Sequence, residues 1–434
     1  MHKKNLLLFI CICILNLTFF SCKKSTNKNI NTLNTTFPGF HNINFNTIFT
    51  QSENHASNDN LIKNRLNNYF SQIWEGKKLS GGVLIARGNT ILLEKYTGYT
   101  DVNLKNPITS TTPMHIASVS KVITSLAILK LVEAKKLTLD QKVNTILPSF
   151  PYSEISVKDL LSHRSGLPNY AYLVDDPKIW DKKKELTNND ILQIFTTYKP
   201  ELLSQPNTHF SYSNTNFALL ALIVENITKK KFPEALSLMI FKPLGMNHSY
   251  VFQKKDFATA TPSYYANGKA YKFDHLDLIY GDKNVYTTPE DLFRLSQAMY
   301  APNFLNKDLL NLMFTPYSKE KDGVKNYGLG MRMKILKNGK KITYHNGWWH
   351  GSNAVFVHLI DEKVTIIAIG NKFSSSVYSA FKLTSLFGDY PLPMVETDTY
   401  KSDSINILLN KILDTKDNSS LGNTNEDTIS IIHK

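Results

Sequence analysis

The segment Ser118-Val119-Ser120-Lys121 has the spacing that lets an amine sit beside a hydroxyl. A serine hydroxyl is a poor nucleophile until a neighbouring base takes its proton. Residues three apart on a helix share a face, so Lys121 stands one turn from Ser118. A helix start also carries free backbone N–H groups, and that of Ser118 can stabilise an oxyanion. The same Ser-x-x-Lys spacing recurs at Ser21, Ser25, Ser318 and Ser379, but only Ser118 opens a predicted helix behind an apolar run. Taken alone, Ser118 reads equally well as a helix N-cap.

Two further clusters carry suitable groups. Tyr212-Ser213-Asn214 lies just before an apolar helix. A phenol near Lys121 can relay protons between nucleophile and leaving group. Asn214, two residues on, points the same way in extended chain and can bond a substrate amide. His345-Asn346-Gly347 is the only His-x-Gly in the chain. His345 is expected against the substrate or the Tyr–Lys pair, Gly347 where a ligand approaches the backbone. The backbone N–H of Trp348 would be the second oxyanion donor. Each cluster has a bland reading too: a turn with a buried tyrosine, and a Gly-rich hairpin with a surface histidine.

The elements that must position these groups are legible in outline. A helix is expected near 61–74. The apolar runs 82–87 and 90–96 flank Gly88-Asn89, which reads as a β-hairpin. A long helix follows from 118 to about 136, its apolar residues recurring at helical spacing. The region 138–320 mixes loops with helices, clearest around Leu160-Leu161, 216–227 and 289–299. Apolar strands return at 353–360 and 363–370, with a final helix near 377–387. Strands at both ends and helices between predict one sheet, a mostly helical lobe and a cleft between them.

Composition narrows the class. The chain has 434 residues, 42% hydrophobic and 20% charged, enough to bury a sizeable core. The formal charge of +14 is spread among Asn, Ile and Tyr rather than gathered in a stripe, which argues against nucleic acid as a partner. Residues 6–20 form an apolar run behind Lys3 and Lys4. Fifteen helical residues reach about 22 Å, short of the ~30 Å hydrocarbon core, so 1–22 read as a signal peptide. The run stops at Ser21-Cys22, similar to a bacterial lipobox, which makes Cys22 the expected lipid anchor of an exported, periplasmic or envelope protein. Cys11 and Cys13 lie in the leader and no cysteine follows Cys22, so a disulfide, a thiolate nucleophile and a Cys-based zinc site are excluded from the mature chain. Residues 23–60 read as a flexible tether, 61–395 as the catalytic domain and 396–434 as a polar tail.

Together the three motifs resemble the serine β-lactamase, penicillin-binding protein and esterase superfamily, specifically its class C β-lactamase-related group. Leu160-Leu161-Ser162-His163-Arg164-Ser165-Gly166-Leu167-Pro168, Pro243-Leu244-Gly245-Met246 and Tyr327-Gly328-Leu329-Gly330-Met331 extend the resemblance over about 60–390. It implies an α/β (α+β) fold of the β-lactamase/transpeptidase type: a five-stranded antiparallel sheet flanked by helices, plus a helical lobe. It also implies an acyl-enzyme on Ser118, with Lys121 and Tyr212 handling protons as one titrating unit, either being the base. No metal or cofactor is implied. The third motif departs from dedicated β-lactamases, with His345 in place of lysine and Asn346 in place of threonine. A largely neutral histidine suits a β-lactam carboxylate less well, which favours an esterase, amidase or D-peptidase acting on a small molecule or peptide. The rival reading is a non-catalytic envelope protein that binds cell-wall fragments. There is no Gly-x-Ser-x-Gly elbow, His-Glu-x-x-His helix or phosphate loop to support other enzyme classes.

Overall fold

The computed structural model describes residues 43–49, 56–76, 79–101, 105–320 and 323–390. All belong to one unit within Gly39–Lys434. The leader with Cys22, most of the tether and the polar tail lie outside the described residues.

Helix α1 (Ala56–Tyr69) opens the domain and continues as a π-turn, Phe70–Trp74. The hairpin follows as β1 (Gly81–Arg87) and β2 (Thr90–Thr97). Helix α2 (Ser120–Glu133) is apolar nearly all round, which marks a helix buried on every side, and residues 120–131 are buried. Helix α3 (Asn214–Thr228) has the same character and packs on α2. It stops where Lys229 turns left-handed, φ +57°. The C-terminal part supplies β3 (Lys325–Tyr327), β4 (Arg332–Ile335), β5 (Lys341–Trp349), β6 (Ser352–Leu359) and β7 (Val364–Gly370), then a 3-10 helix, Ser375–Phe387.

Among the described residues the main sheet has seven strands in the order β2-β1-β7-β6-β5-β4-β3. The β1–β7 pairing (Gly81 with Gly370) joins the two ends of the domain. Five strands were expected. The extra two, β3 and β4, are short and mix Lys, Asn and Arg with apolar residues, so neither shows as an apolar run.

Both faces of the sheet are covered, and strand parity assigns them. Leu84, Ala86, Ala354, Phe356, Ile367 and Ile369 face the core shared with α2, α3 and the helical lobe. Val83, Ile85, Val355, Val357, Ile366 and Ala368 face a second core closed by α1 and the 3-10 helix. On β5, Ile342 and Tyr344 belong to the second core, so Thr343, His345, Gly347 and Trp349 face α2.

The tether needs shortening. Residues 43–49 and the first turns of α1 fall inside 23–60 yet sit on the folded domain. Ile43 is buried and its N–H reaches the Pro243 carbonyl, Arg294 lies over the Phe45 ring, and Phe49 meets Tyr300 edge-on. Isolated apolar residues in a polar stretch dock without leaving any periodicity to read. Among the described residues no helix is long and apolar enough to cross a membrane.

Candidate active site

Ser118 lies in a single 3-10 turn, Ala117–Val119, ahead of α2 rather than inside it. The turn is entered through Ala117 at φ +48°, in the left-handed region that residues with a Cβ avoid. The short strand Met114–His115 leads into it and pairs with Val285–Thr287. The Ile116 N–H bonds the Val285 carbonyl, and the Ser120 hydroxyl accepts from the Val285 N–H.

Lys121 is buried, and its amine is held on three sides. Ser118 Oγ lies 3.0 Å away, Asn214 Oδ1 2.8 Å and the Asp282 carbonyl oxygen 2.7 Å. The last two atoms only accept, so they take two N–H bonds. What remains on the nitrogen, a lone pair or a third N–H, is aimed at Ser118. Asn214, expected at a substrate amide, orients Lys121 through its Oδ1.

Tyr212 approaches from the other segment. Lys121 Nζ lies 5.1 Å from its ring centroid. Burial alone would raise the phenol, but the charges of Lys121 and Arg332 and the polar influence of Ser118 and Lys121 outweigh it, and the pKa falls below its ordinary 10.0. The ring is seated against His163, 4.3 Å between centroids. His163 Nδ1 accepts from the Ser213 N–H and lies 3.0 Å from the Asn216 amide, so the Ser-His-Arg-Ser-Gly loop props the tyrosine. Burial, then the Lys121 and Arg332 charges, push His163 well below its usual range and keep it neutral.

His345 stands one layer back. It is fully buried, with Nδ1 donating to the Asn346 carbonyl at 2.8 Å and Nε2 accepting from the Tyr327 hydroxyl at 3.2 Å. Its ring is 6.4 Å from that of Tyr212. Of the two expected positions, at the substrate or at the Tyr–Lys pair, the ring lies on the Tyr212 side, in a supporting place. Burial, with Arg332 and Lys121 nearby, holds the imidazole neutral. The motif also lies inside a nine-residue strand, not in a Gly-rich hairpin turn.

Gly347 is required by the packing of the backbone. A Cβ there would sit 2.2 Å from the Ile116 carbonyl oxygen, so only glycine lets β5 lie against the nucleophile turn. Beyond it, the two-residue loop His350-Gly351 joins Trp349 to Ser352. By the alternation of an antiparallel ladder, Trp348 and Asn353 then form a non-hydrogen-bonded pair. The Trp348 N–H points off β5 on the side away from β6, where β4 no longer pairs. The indole itself is 65% exposed.

Sequence reading passed over Arg332. Its guanidinium carbon lies 4.7 Å from the Tyr212 ring centroid and 5.9 Å from that of Tyr327. Among the described residues it has no carboxylate partner. Its signal was its place directly after Tyr-Gly-Leu-Gly-Met. Asp282 was missed for a different reason: it acts through its carbonyl, which any residue possesses.

A family model described as Beta-lactamase matches residues 66–386. Penicillin-binding protein 4* of Bacillus subtilis (strain 168) is 30% identical over 363 residues, which is 78% of this chain and 79% of that protein. A penicillin binding protein from Bacillus halodurans has a similar solved structure, with a TM-score of 0.65 and 26% identity, covering 73% of this chain and 98% of the other. The D-amino acid amidase of Ochrobactrum anthropi SV3 shares the fold at a TM-score of 0.60 and 20% identity, over 76% of this chain and 97% of its own.

Proposed function

The chain belongs to the Beta-lactamase family, and from that premise we propose that it is a serine hydrolase acting through an acyl-enzyme on an ester, amide or D-peptide bond. The observation that carries this reading is the convergence of Ser118, Lys121 and Tyr212, from two separate segments, into one cluster: Lys121 Nζ bonds Ser118 Oγ and lies 5.1 Å from the Tyr212 ring centroid.

In the proposed reaction the Ser118 oxygen attacks the substrate carbonyl carbon and its proton passes to Tyr212. The positive charges of Lys121 and Arg332 favour the phenolate that accepts it. The carbonyl π pair moves onto oxygen, where the backbone N–H groups of Ser118 and Trp348 hold it. Collapse breaks the bond to the alcohol or amine, which leaves with the proton from Tyr212. Water then adds to the acyl-Ser118 ester and gives its proton to Tyr212; collapse breaks the bond to Ser118 Oγ, which takes that proton back, and the acid leaves.

Arg332 supports a substrate with a carboxylate near the scissile bond, such as a peptide C-terminus. It offers a planar cation beside Tyr212 with no carboxylate partner among the described residues, whereas His345 is neutral and buried. The test is reaction of the purified protein with a fluorophosphonate, followed by intact mass for wild type and Ser118→Ala. One adduct on wild type alone, mapped to Ser118, is expected. A folded wild type that takes none sinks the hydrolase reading in favour of a non-catalytic envelope protein that binds cell-wall fragments.

A further inference from the structure

We infer that His115 is a positioning residue for the nucleophile: its imidazole holds the left-handed turn that presents Ser118 and ties that turn to the far end of β5. The inference rests on Ser118 as the reacting group.

A non-glycine residue at φ +48° persists only where its surroundings over-determine it. At Ala117 the restraint is direct. The Ala117 N–H donates to His115 Nδ1 at 3.2 Å, so that nitrogen carries no proton. His115 Nε2 must carry it, and it lies 2.9 Å from Asn284 Oδ1. Asn284, itself left-handed at φ +73°, donates from Nδ2 to the Asp277 carbonyl at 2.6 Å. The Asp277 carboxylate accepts from Trp349 Nε1 at 2.7 Å and lies 3.0 Å from His350 Nε2. One chain of hydrogen bonds therefore runs from the nucleophile turn to the hairpin end of the strand that carries Gly347 and Trp348.

Each direction in that chain is forced. A backbone N–H only donates and a backbone carbonyl only accepts, so the ends at Ala117 and Asp277 fix both the Asn284 amide and the His115 tautomer. A protonated ring would set two N–H groups face to face at Ala117. The imidazole is 4% exposed and lies edge-on to Tyr286. The charged or titratable groups around it are Asp277, His350, Lys283 and Tyr286. Burial outweighs the pull of Asp277 and pushes the ring down to about 4, so the neutral form is the working one.

Two substitutions separate the ring's two contacts. In His115→Asn the amide oxygen takes the place of Nδ1 and still accepts from Ala117. In His115→Gln the longer side chain reaches Asn284 and leaves Ala117 unbonded. The rate of Ser118 acylation by the fluorophosphonate should fall about 100-fold in His115→Gln and recover to within about tenfold of wild type in His115→Asn, with KM for a soluble ester unchanged. Equal rates in wild type and an equally folded His115→Gln overturn the inference. So does imidazole nitrogen NMR on the wild type at pH 6 that finds His115 protonated at Nδ1. That spectrum needs no variant to fold and no turnover. A wild type that takes no adduct refutes Ser118 as nucleophile instead, and the tautomer still decides whether the turn is held as described.

Discussion

In the proposed reaction, proton handling depends on two cations pressed against one phenol. Lys121 Nζ and the Arg332 guanidinium lie 5.1 and 4.7 Å from the centre of the Tyr212 ring. Arg332→Met removes one of them and leaves the hydrogen bonds of Ser118 in place. The phenol then rises, and because Tyr212 must be deprotonated to accept the Ser118 proton, the acid limb of kcat/KM moves to higher pH. The same variant should lose about 10- to 100-fold in kcat/KM on a substrate with a terminal carboxylate, and much less on a neutral ester, since a charge-assisted hydrogen bond contributes about 1.5–3 kcal/mol. A pH–rate profile measured on both substrates separates the two roles. An unmoved limb would mean that Arg332 does not set the phenol.

At the scale of elements, the site is a seam between β5 and the turn ahead of α2. Sheet, turn and helix meet at Gly347, where the Ile116 carbonyl oxygen occupies the space a methyl group would need. That oxygen is backbone and cannot swing aside. Gly347→Ala should therefore destabilise the fold by about 1–3 kcal/mol, as overpacking does. It should also slow acylation of the remaining folded protein about 100-fold, because the oxyanion strand is pushed off the nucleophile. Urea unfolding gives the first quantity and fluorophosphonate labelling the second. Wild-type labelling in the variant would show that the strand and the turn need not touch.

For the whole molecule, the consequence is a stability that depends on pH through neutral buried histidines. His115 is pushed down to about 4 and His358 to about 3, both by burial, from an ordinary 6.5. Between those values and 6.5 the unfolded chain binds protons that the folded chain refuses, so stability rises with pH in that window. The loss on acidification from 6.5 to 4 is about 3 kcal/mol for each ring, at about 1.4 kcal/mol per pKa unit. Denaturant unfolding at pH 7 and pH 4.5 measures it, and His358→Gln should flatten part of the slope. A stability that stays level over this range would mean that these rings are not buried neutral.

Local pattern alone determined a good deal. The 82–87 and 90–96 hairpin, the two helices that are apolar on every side, the paired C-terminal strands and the order of the Ser-x-x-Lys, Tyr-x-Asn and His-x-Gly motifs are all written in residue type and spacing, because periodicity and turn chemistry act between near neighbours. Tertiary structure decided which way each side chain faced and what it touched. Asn214 turned to Lys121, His345 withdrew behind Tyr212, and Gly347 made room for Ile116. The Asp282 carbonyl and the His115–Asn284–Asp277 chain left no mark in the sequence, since backbone oxygens belong to every residue and partners up to 169 positions apart share no local pattern. Strands β3 and β4 escaped for a related reason: three or four residues of mixed polarity become a strand only when a neighbour's free edge supplies their hydrogen bonds.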